Sequence, residues 1–399
     1  KFGTRDKTIF SVFGFLIIFF WLMKDTLSTL FLVGFMIVGL IIAILASEKA
    51  VEGVDVFGKK LGLTPYVSGV LSSLASNSPE LVIGFFAILN GKVEFAIAFI
   101  IIATGFNFLM LGMLVMIGNY TRKEPIIIPQ EVVEIEVPIV RVAIVIVGSI
   151  FIYGIVLFCL EVFEIAKNLQ HSVPYLPYEA NAIMIIVYLF YLFFILRHNL
   201  KNRDLNAVRK ASEDHTLGNR SFLIFILVLG FGMIFFAGEM ISSSVELFLD
   251  RSQDVGIVLN EFQLAFFIGA AASIPEHAIA LLAVKKEGGI ELCLGNLIAG
   301  SMQNLLLITG LVSLFSYLAA LFKIAVEHNT LQGIPLIHYV AGEIPIPFLL
   351  IQFGFAWLML FMIKSSMTDD QKLDIYEGFT IIVAQLFVFV IFLRGILGF

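Results

Sequence analysis

Charged residues are scarce in this sequence, and their scarcity excludes a water-soluble globular protein. Of the 399 residues, 14% are Asp, Glu, Lys or Arg, whereas soluble domains carry about 25%. Hydrophobic residues make up 59% of the chain, 41 of its residues are Phe, and the mean hydropathy is +1.00. The charges are too few to cover the surface of a protein of this size, so its exterior must contact lipid.

Cysteine is nearly absent, which argues against a disulfide framework and against a thiolate metal centre. The two cysteines, Cys159 and Cys293, lie in separate apolar segments and are expected to be packing residues. Long runs of one charge sign are also absent. The net charge of −6 is spread over short segments, so no nucleic-acid partner is expected.

Long apolar runs, by contrast, are abundant and predict eleven transmembrane helices. A helix needs about 20 mostly apolar residues to cross a bilayer. The first run ends without an A-x-A-like cleavage site and is predicted to be a retained helix. The predicted spans are 8–24, 29–47, 63–90, 93–118, 138–160, 180–197, 220–246, 261–285, 289–322, 344–363 and 375–397.

The distribution of basic residues predicts how these spans are oriented. Loops on the cytoplasmic side of membrane proteins are enriched in Lys and Arg. With a cytoplasmic N-terminus, 19 of the 25 basic residues fall on the cytoplasmic side. The other six are Lys24, Lys92, Lys167, Arg251, Lys323 and Arg394. We therefore predict a multi-pass protein of the cell membrane, with its N-terminus in the cytoplasm and its C-terminus outside.

An internal repeat divides the chain into two halves. Ser-Asn-Ser-Pro-Glu at 76–80 is followed by Asn107, 27 residues after its Glu, and Ser-Ile-Pro-Glu at 273–276 is followed by Asn304, 28 residues after its Glu. Each half holds five predicted spans, so the copies cross the membrane in opposite directions, as in secondary transporters whose substrate site lies between the halves. The predicted units are an extra N-terminal helix at 1–28, a first repeat at 29–197, a cytoplasmic linker at 198–219 and a second repeat at 220–399.

Glu80 and Glu276 are the principal candidate cation ligands because both are predicted to lie in mid-membrane. A carboxylate there costs a few kcal/mol, so it is normally paired or functional. Each follows a proline, which removes a backbone N–H and frees carbonyl oxygens one turn earlier. Calcium binds about six to eight oxygens, although membrane asparagines also serve to join helices. The predicted ligand set is Glu80, Glu276, Asn77, Ser76, Ser273, Asn107 and Asn304.

At these residues the sequence resembles the cation/calcium exchanger superfamily, whose two repeats carry a small-polar-Pro-Glu signature. The resemblance covers residues 29–397 and implies an antiporter whose two glutamates bind calcium. The extra first helix and the Glu-His-Ala run at 276–278 are most similar to the proton/calcium exchangers. Pro79, Pro275 and Ser273 are instead similar to the sodium/calcium branch.

The residues around the glutamates favour protons as the counter-ion. Sodium sites need several neutral oxygens, whereas a proton needs only a carboxylate. Four positions at which the sodium/calcium branch usually has hydroxyl groups carry Ala272, Asn77, Ala103 and Gly300 here. We therefore hypothesise exchange of one calcium for two protons, with sodium/calcium exchange as the alternative. The expected partners are calcium, the counter-ion and the lipid bilayer, and no cofactor is expected.

Other functional classes fit the sequence less well. The sequence contains no H-E-x-x-H, G-x-S-x-G or P-loop motif, so an enzyme is not expected. Asp369, Asp370 and Asp374 are interpreted as a solvated helix cap rather than a diphosphate site. One acidic site per inverted half favours an exchanger over a channel. The acidic segment 124–136 is expected to be a solvated loop, with calcium sensing as the alternative.

Overall fold

The computed structural model describes residues 4–162, 175–202, 220–251, 259–283, 289–324, 334–335 and 348–397. These residues are almost entirely helical, because backbone groups in lipid must find their hydrogen-bond partners within the segment. The helices are α1 Thr4–Met23, α2 Thr29–Leu61, α3 Pro65–Ser76, α4 Ser78–Leu89, α5 Val93–Arg122, α6 Gln130–Val162, α7 Tyr178–Asn202, α8 Arg220–Arg251, α9 Glu261–Ala283, α10 Gly289–Met302, α11 Thr309–Leu321, α12 Phe348–Asp369 and α13 Ile375–Leu397. A 3₁₀ turn, Lys24–Thr26, follows α1, and a π-helical turn, Gln303–Ile308, joins α10 to α11.

The predicted class, an all-α polytopic membrane protein, is confirmed. In the part of the chain that the structure describes, nine helical spans are long and apolar enough to cross a membrane. Two shorter apolar helices, Ser11–Met23 and Glu261–Ser273, occupy the other predicted positions. Exposed Phe, Ile, Leu and Val side chains cover the outward faces of these helices, as contact with lipid requires.

Two helices extend beyond their predicted spans by eight residues or more. Helix α2 continues to Leu61 rather than ending at residue 47, because the polar stretch after the apolar run is rich in good helix formers. Helix α6 begins at Gln130 rather than 138, with Pro138 inside it. Membrane helices tolerate an internal proline when neighbouring groups satisfy the freed carbonyl, so proline did not mark the start of this helix.

The expectation that 124–136 is a solvated loop was wrong for most of this segment, which is regular structure and includes a buried carboxylate. Strand β1, Ile126–Ile127, and the first two turns of α6 occupy most of this segment. Glu124 is exposed, whereas Glu136 is fully buried. A carboxylate that is buried in this way is a structural or functional group rather than part of a solvated surface.

Contacts between the halves follow a pseudo-two-fold pattern. The pairs α2–α8 and α6–α12 each join one helix to its counterpart in the other half. Helix α3 packs on α10, and the counterpart contact is α9 on α5. Helix α7 packs on α11, and its counterpart α13 packs on α5. These contacts of one half are thus repeated by the other, as expected of an inverted duplication.

Two short strand pairs repeat the same symmetry at the ends of the bundle. Strand β1 pairs antiparallel with β4, Lys372–Leu373, and β2, Tyr175–Leu176, pairs with β3, Ile334–Pro335. Strands β1 and β3 precede α6 and α12, while β2 and β4 follow them. Because α6 runs from β1 to β2, the two pairs lie at opposite ends of the bundle, and each joins one half to the other.

Helices α2 and α8 approach each other closely through glycine. A Cβ atom at Gly39 would lie 2.6 Å from Cγ1 of Ile241, and one at Gly230 would lie 3.2 Å from the carbonyl oxygen of Ala46. Small residues of this kind allow membrane helices to cross with their backbones in contact. A Cβ at Gly34 would have no neighbour within 4 Å, so this glycine is not part of the helix contact.

Candidate cation site

The first half carries its candidate ligands at a break between two short helices. Helix α3 ends at Ser76 and α4 begins at Ser78, with Asn77 between them at φ −85° and ψ 3°. Pro79 is in the first turn of α4, where its missing N–H removes no helical hydrogen bond. Glu80 follows in the same turn. Interrupted helices of this kind present backbone groups to substrates in secondary transporters.

Asn77 is held by the second half of the protein. Its side chain is fully buried, and Nδ2 donates to the carbonyl oxygen of Gly300 at 3.3 Å and to Oε1 of Gln303 at 3.4 Å. Its Oδ1 has no hydrogen-bond partner among the described residues. The side-chain nitrogen is therefore used for anchoring, and the oxygen is the atom left to bind a ligand.

Glu80 and Ser76 are buried on either side of Asn77. Glu80 is 1% exposed, and its Oε2 has no hydrogen-bond partner in the parts of the chain that are described. The Ser76 hydroxyl is 3.2 Å from the carbonyl oxygen of Ser73 and donates to it. This bond engages the hydroxyl proton and leaves the lone pairs of the oxygen for a cation.

Asn107 and Asn304 are fully buried on α5 and on the π-helical turn. The Thr309 hydroxyl and backbone N–H both donate to the carbonyl oxygen of Asn304, the hydroxyl at 2.6 Å, which stabilises the π turn. Within the described residues, neither side-chain polar atom of Asn304 has a hydrogen-bond partner.

Gly300 brings asparagines of the first half against α10. A Cβ atom at Gly300 would lie 3.3 Å from Nδ2 of Asn77 and 3.6 Å from Nδ2 of Asn107. The first distance is tighter than ordinary van der Waals contact, so glycine is what permits the approach. Asn77 and Asn107 therefore both lie close to one backbone position of the second half.

The second half differs from the first at the equivalent positions. Helix α9 runs through residues 273–276 without a break, whereas the corresponding segment of the first half is interrupted at Asn77. In the first half, the Ser78 hydroxyl donates to the carbonyl oxygen of Ala75 at 2.7 Å, bridging the two helices. Ile274 occupies the corresponding position in α9 and has no polar group to make such a bond.

The two remaining candidate ligands lie on α9. Ser273 is fully buried, and its Oγ has no hydrogen-bond partner among the residues described. Glu276 is in α9, but its side chain lies outside the described residues. The expectation that Glu276 binds the cation together with Glu80 stays a prediction. The structure does place α9 against α5 and α10, the two helices that lead to Asn107 and Asn304.

The unpartnered buried oxygens are the main feature of this region. They share burial and the absence of a hydrogen-bond partner among the described residues, and they are Oε2 of Glu80, Oδ1 of Asn77, Oδ1 of Asn304 and Oγ of Ser273. Each such group costs about 1–3 kcal/mol when it stays unpaired. Several along the contact between two halves indicate a place for a bound cation, and an all-oxygen set suits a hard ion such as calcium.

Sequence reasoning missed Gln303 and Ser73, although both take part in this arrangement. Oε1 of Gln303 lies 3.4 Å from Nδ2 of Asn77 and 3.1 Å from Oγ of Ser73. Both residues are buried. The available signal was chemical: Gln303 is an amide directly before Asn304 in a predicted membrane span, where polar groups are seldom without a function.

A second buried polar cluster lies at the opposite end of α3. Glu136 on α6 accepts hydrogen bonds from the hydroxyls of Tyr66 on α3 and Tyr191 on α7. All three side chains are buried, as is Tyr188 beside them. Because Tyr66 is ten residues before Ser76, this cluster is separate from the candidate ligands and joins three helices.

Comparison with known proteins identifies relatives across nearly the whole chain. A family model described as "Sodium/calcium exchanger protein" matches residues 31–197 and 222–394. The inner membrane protein YrbG of Escherichia coli (strain K12) is 19% identical over 289 residues, which cover 70% of this chain and 79% of that protein.

Solved structures with the same fold include exchangers of two kinds. The crystal structure of the H⁺/Ca²⁺ exchanger CAX superposes with a TM-score of 0.66 at 12% identity, covering 99% of this chain and 94% of that one. The sodium-calcium exchanger NCX_Mj superposes with a TM-score of 0.56 at 15% identity, covering 90% of this chain and 98% of that one. At these identities the likeness shows the fold alone.

Proposed function

The chain belongs to the sodium/calcium exchanger family, and from that premise we propose that it is a secondary antiporter exchanging calcium for protons. The cation site lies between the two halves and opens to one side of the membrane at a time. One calcium ion and two protons compete for Glu80 and Glu276. The other ligands are oxygens of Ser76, Asn77, Ser273, Asn107 and Asn304.

The observation that carries this proposal is the set of buried oxygens without partners. A bound calcium ion would be a positively charged partner for Oε2 of Glu80 and Oδ1 of Asn77. Oδ1 of Asn304 and Oγ of Ser273 supply neutral oxygens, which calcium accepts at about 2.3–2.6 Å. When calcium leaves, a carboxylate in so dry a site requires a proton in its place, since an uncompensated buried charge is costly. Alternate occupancy by the two ions is what couples their fluxes.

Protons are preferred over sodium because three positions that usually carry hydroxyl groups in the sodium/calcium branch lack them here. Ala272, Ala103 and Gly300 are buried where the sodium/calcium branch usually has hydroxyl groups. A sodium ion would thus find fewer neutral oxygens here, whereas a proton needs only a carboxylate.

Sodium/calcium exchange is the second candidate, and Ser273 favours it. This serine is fully buried, and no described residue pairs with its hydroxyl oxygen. A free hydroxyl next to the glutamate motif is a natural ligand for sodium. The two candidates therefore differ in one measurable property, the ion whose gradient drives calcium.

Calcium uptake into proteoliposomes under one imposed gradient at a time distinguishes these candidates. We expect an outward proton gradient to drive calcium uptake, and we expect this uptake to be lost when a proton ionophore is added. An outward sodium gradient alone should drive no uptake above that of protein-free liposomes. Uptake driven by sodium but not by protons would replace the first candidate with the second, and uptake with neither gradient would contradict exchange.

Charge-neutral variants of the two glutamates test the site. Glu80→Gln and Glu276→Gln keep the side-chain size but remove the carboxylate that binds calcium or a proton, so each should abolish calcium exchange. Glu124→Gln, at an exposed position, is the matched control and should exchange like the wild type. A single symmetrical size-exclusion peak shows that each variant is folded. Full exchange by either folded site variant would eliminate this assignment.

The orientation in the membrane is also proposed. The bias of basic residues places the N-terminus in the cytoplasm and the C-terminus outside. A reporter protein that fluoresces only in the cytoplasm should be dark when fused after Phe399 and bright when fused before Lys1. The reverse result would invert the topology without altering the site.

A further inference from the structure

Gln303 lies at the contact between the two halves without belonging to the predicted ligand set. It is 3% exposed and opens the π-helical turn directly before Asn304. Its Oε1 accepts a hydrogen bond from the Asn77 amide at 3.4 Å. The same oxygen lies 3.1 Å from Oγ of Ser73, a hydroxyl that also lies 2.7 Å from the carbonyl oxygen of Val70. One oxygen of the second half therefore contacts two polar side chains of the first.

The orientation of the Asn77 amide follows from its neighbours. The carbonyl oxygen of Gly300, 3.3 Å away, can only accept, so the atom of Asn77 facing it must be the nitrogen. The Gln303 atom within 3.4 Å of the same nitrogen must then be an acceptor, Oε1. Asn77 has two acceptors on its nitrogen, which leaves Oδ1 as its side-chain atom without a hydrogen-bond partner among the described residues.

The equivalent position of the first half carries no such group. Phe106 directly precedes Asn107 as Gln303 precedes Asn304. Its ring packs against Phe389 at 4.5 Å and Phe266 at 5.9 Å between ring centroids. The site is therefore asymmetric: an amide positions the polar side chain on α3, while an aromatic ring occupies the corresponding place in the other half.

We propose that Gln303 is a positioning residue for calcium, which acts by fixing the Asn77 amide so that Oδ1 is presented to the ion bound at Glu80. This inference rests on the proposed function and adds a residue to it. Gln303 does not itself contact the ion. Its contribution is to keep Asn77 from rotating its nitrogen, a donor that repels a cation, toward the site.

The test measures the KM for calcium and the maximal exchange rate of variants in proteoliposomes. Gln303→Met has similar volume but no acceptor, and we expect its KM for calcium to rise about fivefold, as for a lost hydrogen bond, with the maximal rate nearly unchanged. Gln303→Glu keeps an oxygen at the acceptor position, and its KM should be no higher than that of the wild type. A merely structural role predicts instead that the maximal rate and the yield of folded protein fall together.

A double-mutant cycle with Asn77 separates positioning from any independent effect. Asn77→Ala removes the group that Gln303 orients, so adding Gln303→Met to it should leave the KM unchanged. An equal KM increase in the presence and absence of Asn77 would overturn the inference, as would wild-type KM in Gln303→Met. If Gln303→Met does not fold, a KM increase in Gln303→Glu would overturn the inference as well. Absence of calcium exchange by the wild-type protein would instead overturn the proposed function.

Discussion

The carboxylate of Glu136, which the cation site does not use, allows a quantitative prediction about stability. It accepts hydrogen bonds from the hydroxyl groups of Tyr66 and Tyr191, and all three side chains are buried. Glu136→Leu would leave both hydroxyls buried without an acceptor, at about 1–3 kcal/mol each. Part of this loss is offset because a buried carboxylate is itself expensive. We expect a net destabilisation of about 2–3 kcal/mol.

Smaller substitutions at the same cluster should have graded effects. Glu136→Gln keeps one acceptor oxygen for the two hydroxyls but loses the charge, and should destabilise by about 1 kcal/mol. Tyr66→Phe and Tyr191→Phe each remove one hydrogen bond to a charged group, worth about 1.5–3 kcal/mol. In the Glu136→Leu background either Tyr→Phe change should be neutral or stabilising, since it removes a hydroxyl that no longer has an acceptor.

The assay measures the thermal midpoint of unfolding of the detergent-purified protein. The loss of the monodisperse size-exclusion peak with rising temperature gives this midpoint. In domains of 150–250 residues 1 kcal/mol shifts the midpoint by about 2–4 °C, so the expected ranking is resolvable. Tyr153→Phe, which alters a half-exposed hydroxyl on α6, serves as the control and should not shift the midpoint. Additive losses in the Glu136→Leu, Tyr66→Phe double variant would refute the proposed coupling, because they would mean that the two groups do not depend on each other.

Two further predictions concern the contacts of helix α8. Gly39→Leu forces a side chain into the space of Ile241, and overpacking of about 1–3 kcal/mol should lower both the thermal midpoint and the exchange rate. Gly34→Leu is the control and should leave both unchanged, because a Cβ at Gly34 has no neighbour within 4 Å. Equal effects of the two substitutions would rule out this explanation. Lys92→Ala removes the 3.0 Å ion pair with Asp250, whose side chain is 57% exposed. Because exposed pairs contribute about 0–1 kcal/mol, the midpoint should stay the same within error, and a large drop would contradict this estimate.

The sequence alone was sufficient for the class of protein and the positions of its apolar helices. The length of an apolar run decides whether a segment can cross a membrane, and this length can be read from the local sequence. The repeated Pro-Glu motifs also identified Ser76, Asn77, Ser273, Asn107 and Asn304 as unusual, since each is a polar residue in an apolar helix, and all five are buried. Helix ends were predicted less well, because α2 and α6 continue past the limits that hydrophobicity sets.

Only the tertiary structure decided which of these polar groups are already satisfied and which are available. Hydrogen-bond partners in this bundle are separated by up to 254 residues, as in the bond from Asn119 to the Leu373 carbonyl, and no local pattern contains such a pairing. The repeat made the halves look equivalent, yet packing breaks one helix at Asn77, leaves α9 continuous and directs Gln303 toward α3 alone. Burial and partner geometry depend on elements from both halves at once, which is why the sequence could identify candidate ligands but not their asymmetry.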